Sequence, residues 1–225
     1  MNAIEIDNVS FSYDKVNVFN QISLTIESGD YVGIIGSNGA GKSTLLKLIL
    51  GLLKPTNGRI RLFGKEGSVS KDFQKIGYIP QNSASLLGEF PATAEEIVKA
   101  NLYSQTGFLR FPKKKYAGLV NQALKVVGMQ DCSKRMIGEL SGGQQQRIMI
   151  AQMLVASPQV LLLDEPTTGI DADAAVALYT LLKQLNQEHG ITVMMVTHDV
   201  ERVARSAKRL LRLNKYGLRE EPHDL

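Results

Sequence analysis

Tyr31-Val32-Gly33-Ile34-Ile35-Gly36-Ser37-Asn38-Gly39-Ala40-Gly41-Lys42-Ser43-Thr44-Leu45-Leu46 decides how this chain folds. Tyr31 to Ile35 is a short, apolar, β-branched run, which predicts a strand. Leu45, Leu46, Leu48 and Ile49 recur at helical spacing, so a helix is expected from about Lys42. The turn between them, Gly36 to Ser43, fits G-x-x-x-x-G-K-[ST]. Glycines let such a loop bend and turn its N–H groups towards phosphate oxygens. The following helix adds the positive end of its dipole. Lys42 supplies a charge for the β and γ phosphates, and the Ser43 hydroxyl can ligate Mg²⁺. A turn that only joined two elements would not need Lys-Ser after its last glycine. Gly36, Ser37, Asn38, Gly39, Ala40, Gly41, Lys42, Ser43 and Thr44 are therefore the expected nucleotide-binding positions.

Further along, Val160-Leu161-Leu162-Leu163-Asp164-Glu165 reads as a buried strand that delivers two carboxylates at its C-terminal end. Open α/β sheets bind ligands at that end. Asp164 is expected to hold Mg²⁺, and Glu165 to polarise the attacking water as general base. An acidic strand end in solvent is the bland alternative, and the phosphate loop upstream argues against it.

The rest of the pattern is α/β. Ile4 and Ile6, then Ile22, Leu24 and Ile26, alternate with polar residues, the period of half-buried strands. Pro55-Thr56-Asn57-Gly58 is turn chemistry, followed by expected strands at 59–63 and 76–79. From about Thr93 to Ala156 the pattern turns helical, with helices expected near 93–101, 116–127 and 141–156, punctuated by Gly107, Pro112 and Gly128. Strands return at 160–163 and 191–196. The helix between them carries Ala175, Val176, Leu178, Tyr179, Leu182 and Leu185 as one stripe. Strand, helix, strand implies a parallel sheet.

Composition narrows the function. At 225 residues and 44% hydrophobic content, the chain has material for a sizeable core. Cys132 is the sole cysteine, and His189, His198 and His223 lack metal-ligand spacing, so neither a disulfide nor a transition-metal cage is expected. The start, Met1 to Asp7, reads as no export signal. The most apolar stretch, Ile148 to Leu163, is broken by Gln152, Ser157, Pro158 and Gln159, short of the roughly 18 to 20 apolar residues of a membrane span. A net charge of +4, from 26 basic and 22 acidic residues, is a modest excess, and no nucleic-acid partner is expected. Lys113-Lys114-Lys115, the densest basic run, reads as a solvated loop.

Leu140-Ser141-Gly142-Gly143-Gln144, just ahead of a helix and between the two phosphate motifs, resembles the signature of the ATP-binding-cassette (ABC) family. The resemblance runs from Ile4 to about Leu213. It implies a P-loop NTPase (RecA-like) core with an N-terminal antiparallel β-subdomain and an inserted helical subdomain at about 88–157. It also implies ATP and Mg²⁺ as cofactors, and a homodimer in which Ser141, Gly142, Gly143 and Gln144 of one subunit close over ATP held by the other. A helix start with bare glycine N–H groups is an anion site in its own right. By the same resemblance Tyr13 stacks on adenine, and Gln81 senses Mg²⁺ and the γ phosphate. Asp171, in Gly169-Ile170-Asp171 where the family more often has Ser-Ala-Leu-Asp, reaches across the dimer. His198 contacts the γ phosphate.

As implied partners, integral membrane permease subunits bind this ATPase at the cytoplasmic face, and an extracellular solute-binding protein acts indirectly. Phe90 to Val98, the Gly-Ile-Asp variant and the short C-terminus resemble the ATPases of zinc and manganese importers. An exporter or lipid-extracting system is the alternative. A non-transport ABC ATPase would usually carry tandem cassettes or long coiled coils.

Overall fold

Alternating Ile4, Ile6, Leu24 and Ile26 place their side chains on one face of a hairpin, and all four are buried. In the computed structural model, which describes residues 1–14, 16–66, 74–106, 113–214 and 217–222, this hairpin is β1 (Asn2–Tyr13) and β2 (Val16–Glu27). β1 also pairs with β4 (Asn57–Leu62), which pairs with the short β5 (Lys65–Glu66), giving an antiparallel sheet of order β2-β1-β4-β5. β4 starts and ends earlier than the sequence reading, because Phe63 takes a left-handed φ of 51° that leaves the strand.

The second sheet has the order β10-β9-β3-β8-β7-β6. Its members are β3 (Tyr31–Ile35), β6 (Ile76–Ile79), β7 (Val160–Asp164), β8 (Thr192–Val196), β9 (Arg209–Asn214) and β10 (Gly217–Glu221). All neighbours are parallel except β10, which returns antiparallel along β9. β3, β7 and β8 are buried along their whole length, as central parallel strands covered on both faces must be. On one face, Val32, Ile34, Leu162 and Met194 meet the antiparallel sheet and α1 (Lys42–Ile49). On the other, Ile35, Leu161, Leu163, Val193 and Met195 meet the helices. The strand expected at 191–196 is β8, and β9 pairs with β3 on the side away from it.

Between β6 and β7 the chain forms α2 (Ser83–Gly88), α3 (Ala94–Thr106), α4 (Lys113–Val126) and α5 (Gly142–Leu154). Thr93 lies just outside α3 as its cap: Glu96 accepts from the Thr93 N–H and hydroxyl, both at 2.8 Å. The loop reading of the lysine run is corrected, because α4 begins at Lys113. Its apolar positions Tyr116, Val120, Ala123 and Leu124 are buried and draw the segment into a helix. Gly107, Pro112 and His223 lie outside the described residues. After β7 come α6 (Ala172–His189) and α7 (Val200–Ser206). The α6 stripe is buried at Ala175, Leu178, Tyr179, Leu182 and Leu185, but Val176 is 52% exposed and Leu181 is buried instead. No helix among the described residues is long and apolar enough to cross a membrane.

Asp30, in the turn before β3, is a buried carboxylate. It accepts from the Glu27 N–H at 3.0 Å and from Lys208 Nζ at 3.1 Å, and Arg209 lies at 3.7 Å. Removing it orphans the Glu27 N–H and takes a buried carboxylate away from Lys208 and Arg209, the latter still paired with Glu220. Asp30→Ala is expected to cost about 2–3 kcal/mol and to lower Tm by roughly 4–12 °C. Thermal unfolding checks this, and an unchanged Tm contradicts it.

Candidate functional site

The turn from β3 into α1 is shaped by close approaches. A Cβ at Gly36 would lie 2.4 Å from the Leu213 carbonyl oxygen. Gly41, at φ 91°, is left-handed, and a Cβ there would meet Val18 and the Phe19 ring at under 3 Å. Gly41 caps α1 without any side-chain hydrogen bond, and the first turn holds no acid. The first-turn N–H groups of Lys42, Ser43 and Thr44 are therefore not met by a capping side chain, and they face a cleft. That cleft, of about 690 Å³, is lined by Tyr13, Val18, Asn38, Gly39, Gly41, Lys42, Ser43, Thr44, Gln81, Glu165 and His198. Tyr13, half exposed, packs edge-on against Phe11 at 4.8 Å between ring centroids, and so offers a ring at the rim.

Lys42 is only 6% exposed, and its Nζ donates to the carbonyls of Gly36 at 2.9 Å and Ser37 at 3.2 Å. Glu165 Oε1 lies 3.9 Å from it. The Ser43 hydroxyl donates to Asp164 Oδ1 at 3.0 Å, joining the start of α1 to the end of β7. Burial raises the Asp164 carboxyl above the ordinary carboxylate range; the Ser43 hydrogen bond opposes this, and neighbouring Glu165 adds to it. Two oxygens of this kind are hard ligands that suit Mg²⁺. Among the described residues, no group of three or more His, Cys, Asp or Glu is placed to hold a metal ion.

Glu165 follows β7 with a left-handed φ of 49°, sparsely populated for a residue with a side chain. Its N–H donates to the Val196 carbonyl at 2.8 Å, and its Oε2 lies 2.9 Å from His198 Nδ1. A carboxylate and an imidazole from adjacent strand ends thus face each other beside Lys42. The arrangement can orient a water molecule and accept its proton, and it can present an imidazole to a phosphate.

Ser141, Gly142, Gly143 and Gln144 lie outside this cleft. Ser141 caps α5, and the two side chains close a capping box. The Ser141 N–H donates to Gln144 Oε1 at 3.0 Å, and the Gln144 N–H to Ser141 Oγ at 3.4 Å. A Cβ at Gly143 would come within 2.5 Å of the Ala174 Cβ, so this glycine is also dictated by packing against α6. Gly142 lines a separate groove with Pro80, Gln145, Gln146, Pro166, Gly169 and Ile170, which meets the cleft at Glu165. Asp171 caps α6, accepting from the Ala174 N–H at 2.8 Å. Val18, Thr197 and Tyr179 were not singled out as site residues in the sequence. Val196-Thr197-His198-Asp199 offered the only local signal, since Asp199 caps α7.

A phosphate-binding loop at the C-terminal edge of a parallel sheet, with two carboxylates at the end of the next strand but one, defines a P-loop ATPase. The ABC transporter family model matches residues 19–168, and the chain belongs to that family. It is 44% identical to the zinc uptake system ATP-binding protein ZurA of Listeria innocua, over 94% of this chain and 82% of that protein. It is 42% identical to the manganese transport system ATP-binding protein MntB of Bacillus subtilis, over 88% of this chain and 78% of the relative. Its fold superposes on the ATP-binding cassette MJ0796, solved as a post-hydrolysis dimer bound to ADP and Pi. The TM-score there is 0.80 at 29% identity, covering 99% of both chains. The expected fold class, family and ATPase activity are borne out.

Asp164 yields a test. Because its folded-state pKa is raised, its contribution to stability is present below the ordinary carboxylate pKa and is lost as pH rises through the raised value. Nucleotide-free Asp164→Asn is therefore expected to melt no lower than wild type at neutral pH, with any advantage shrinking on acidification, while ATP hydrolysis is lost. Melting curves from pH 4 to 8 check this; a clear drop in Tm at pH 7 contradicts it.

Proposed function

We propose that this chain is the motor subunit of an importer for a divalent transition metal, zinc or manganese, and that it works as a homodimer at the cytoplasmic face on separate membrane permease subunits. The observation that carries the mechanism is a division. The cleft around Lys42 and the Ser141–Gln144 turn are both suited to phosphate, yet they lie in different depressions of one chain. Two copies arranged head to tail would join each cleft to the partner's turn and enclose two ATP molecules. Dimeric MJ0796 supports that arrangement. Likeness to zinc and manganese transport proteins supports the cargo. Metal selection then belongs to the permease and an extracellular solute-binding protein.

Within each site Tyr13 stacks on adenine. Gly36 to Thr44 wrap the phosphates, with Lys42 shifting from its loop carbonyls to the β and γ oxygens. Ser43 and Asp164, with Gln81, would hold Mg²⁺, which when bound neutralises phosphate charge. Glu165 orients water and takes its proton, and His198 meets the γ phosphate. Asp171 approaches the partner subunit. The chain acts as one ATPase unit, with the helical insertion at about 88–157 moving against the sheet and carrying a docked membrane helix with it.

Glu165→Gln is expected to keep ATP binding and to lower hydrolysis roughly 10²-fold or more, about 3 kcal/mol of barrier, so that ATP-bound dimers accumulate. Near-normal steady-state turnover removes Glu165 from the base role, and a monomeric ATP-bound variant at high concentration contradicts the sandwich. For the cargo, deletion of the gene in cells lacking redundant importers should abolish zinc or manganese accumulation. Wild type should restore it and Lys42→Ala should not. Unchanged uptake of both metals overturns the cargo and leaves the ATPase standing.

A further inference from the structure

Glu165 and His198 sit on separate loops, one after β7 and one after β8. The strand ladder pairs Asp164 with Val196, and the Glu165 N–H still donates to the Val196 carbonyl. Past that point Thr197 is fully buried, and its backbone N–H donates to the Ile34 carbonyl at 3.1 Å. Its hydroxyl accepts from the Asp199 N–H at 3.0 Å and meets the Tyr179 hydroxyl at 3.4 Å. Tyr179 projects from α6 into the core and is 3% exposed, so its phenol bears on the loop that carries His198. On the far side, Asp199 accepts from the Arg202 N–H at 3.2 Å and pairs with its guanidinium at 2.6 Å. Both chain neighbours of His198 are pinned, while its own side chain is 64% exposed and aimed at Glu165.

We propose that Tyr179 is a positioning residue for ATP hydrolysis, its buried hydroxyl holding Thr197 so that the neighbouring His198 stays aimed at Glu165. Packing alone asks only for the ring, which lies in the core with Leu178, Leu182 and Leu185. A hydroxyl is carried into that core at a desolvation cost that its hydrogen bonds must offset. Burial pushes the phenol up to about 12, so it stays a neutral hydrogen-bonding group at working pH. Displacing a reacting group by about 1 Å can cost as much as 10²-fold in rate, so slack in the His198 loop should appear in turnover before it appears in ATP binding.

The inference rests on the reading of Glu165 and His198 given above, and the test separates the two. In the purified full chain, Tyr179→Phe, which keeps the ring, is expected to lower kcat about tenfold with KM for ATP within about twofold. Thr197→Val should do the same, and Thr197→Ser, which keeps the hydroxyl, should lose much less. In a His198→Ala background, Tyr179→Phe should add little further loss. Should Tyr179→Phe fail to fold, the Thr197 pair decides. Unchanged kcat in Tyr179→Phe, equal losses in Thr197→Val and Thr197→Ser, or multiplying losses in the double variant overturn the positioning role. Wild-type turnover in His198→Ala alone overturns the reading of the site itself, and the positioning role with it.

Discussion

An ammonium group can be buried only where oxygens surround it, and the site is organised around where Lys42 puts its charge. Its Nζ is held by the carbonyls of Gly36 and Ser37 with Glu165 nearby. That requires a loop whose carbonyls curl back on the helix it precedes, and hence glycines at 36 and 41, where any Cβ would strike Leu213, Val18 or Phe19. The same curl leaves the first turn of α1 uncapped. One constraint produces a cation, a row of open N–H groups and a helix dipole directed at the same cleft.

The negative side of the site is held by the sheet. β7 lies between β6 and β8, buried throughout, and ends in Asp164 and Glu165 where Ser43 and His198 can reach them. The two carboxylates divide the environment. Asp164 is drawn under Ser43 and raised by burial, while the left-handed backbone at Glu165 turns its side chain towards Lys42 and His198. Adjacent residues of a regular strand point to opposite faces, so turning Glu165 into the cleft while Asp164 bonds to Ser43 requires the strand to break between them.

Most of this was legible in the sequence because it depends on local chemistry. The phosphate loop, the buried strand with two terminal acids and the serine cap of α5 each follow from a few neighbouring residues, and the structure places them within a residue or two of the reading. What was not legible depends on tertiary context. Val176 fits the apolar stripe of α6 but faces out, because the stripe is set by what covers it rather than by the helix alone. Lys113 to Lys115 read as loop because charge suggested solvent, yet the buried residues after them extend the helix back to Lys113. β9 was missed as a sheet strand because its partner, β3, lies far away in sequence. Tyr179 reads as one more apolar position of a helix; only the fold shows its hydroxyl under the loop that carries His198.

The signature turn shows how packing and recognition can require the same residue. Gly143 stands in the turn proposed to meet phosphate, and it also lets α5 approach Ala174 more closely than any side chain would allow. That contact seats the turn on the first turn of α6, which Asp171 caps, and Gly142 rests against Gly169 and Ile170. The segment from Glu165 to Ala174 therefore touches the phosphate cleft at one end and the signature turn at the other. A displacement of either end must pass through ten residues held by a cap and a close glycine contact. This segment joins the cleft to the signature turn, covalently at Glu165 and by the packing of Ala174 on Gly143, and it begins at the residue that faces both Lys42 and His198.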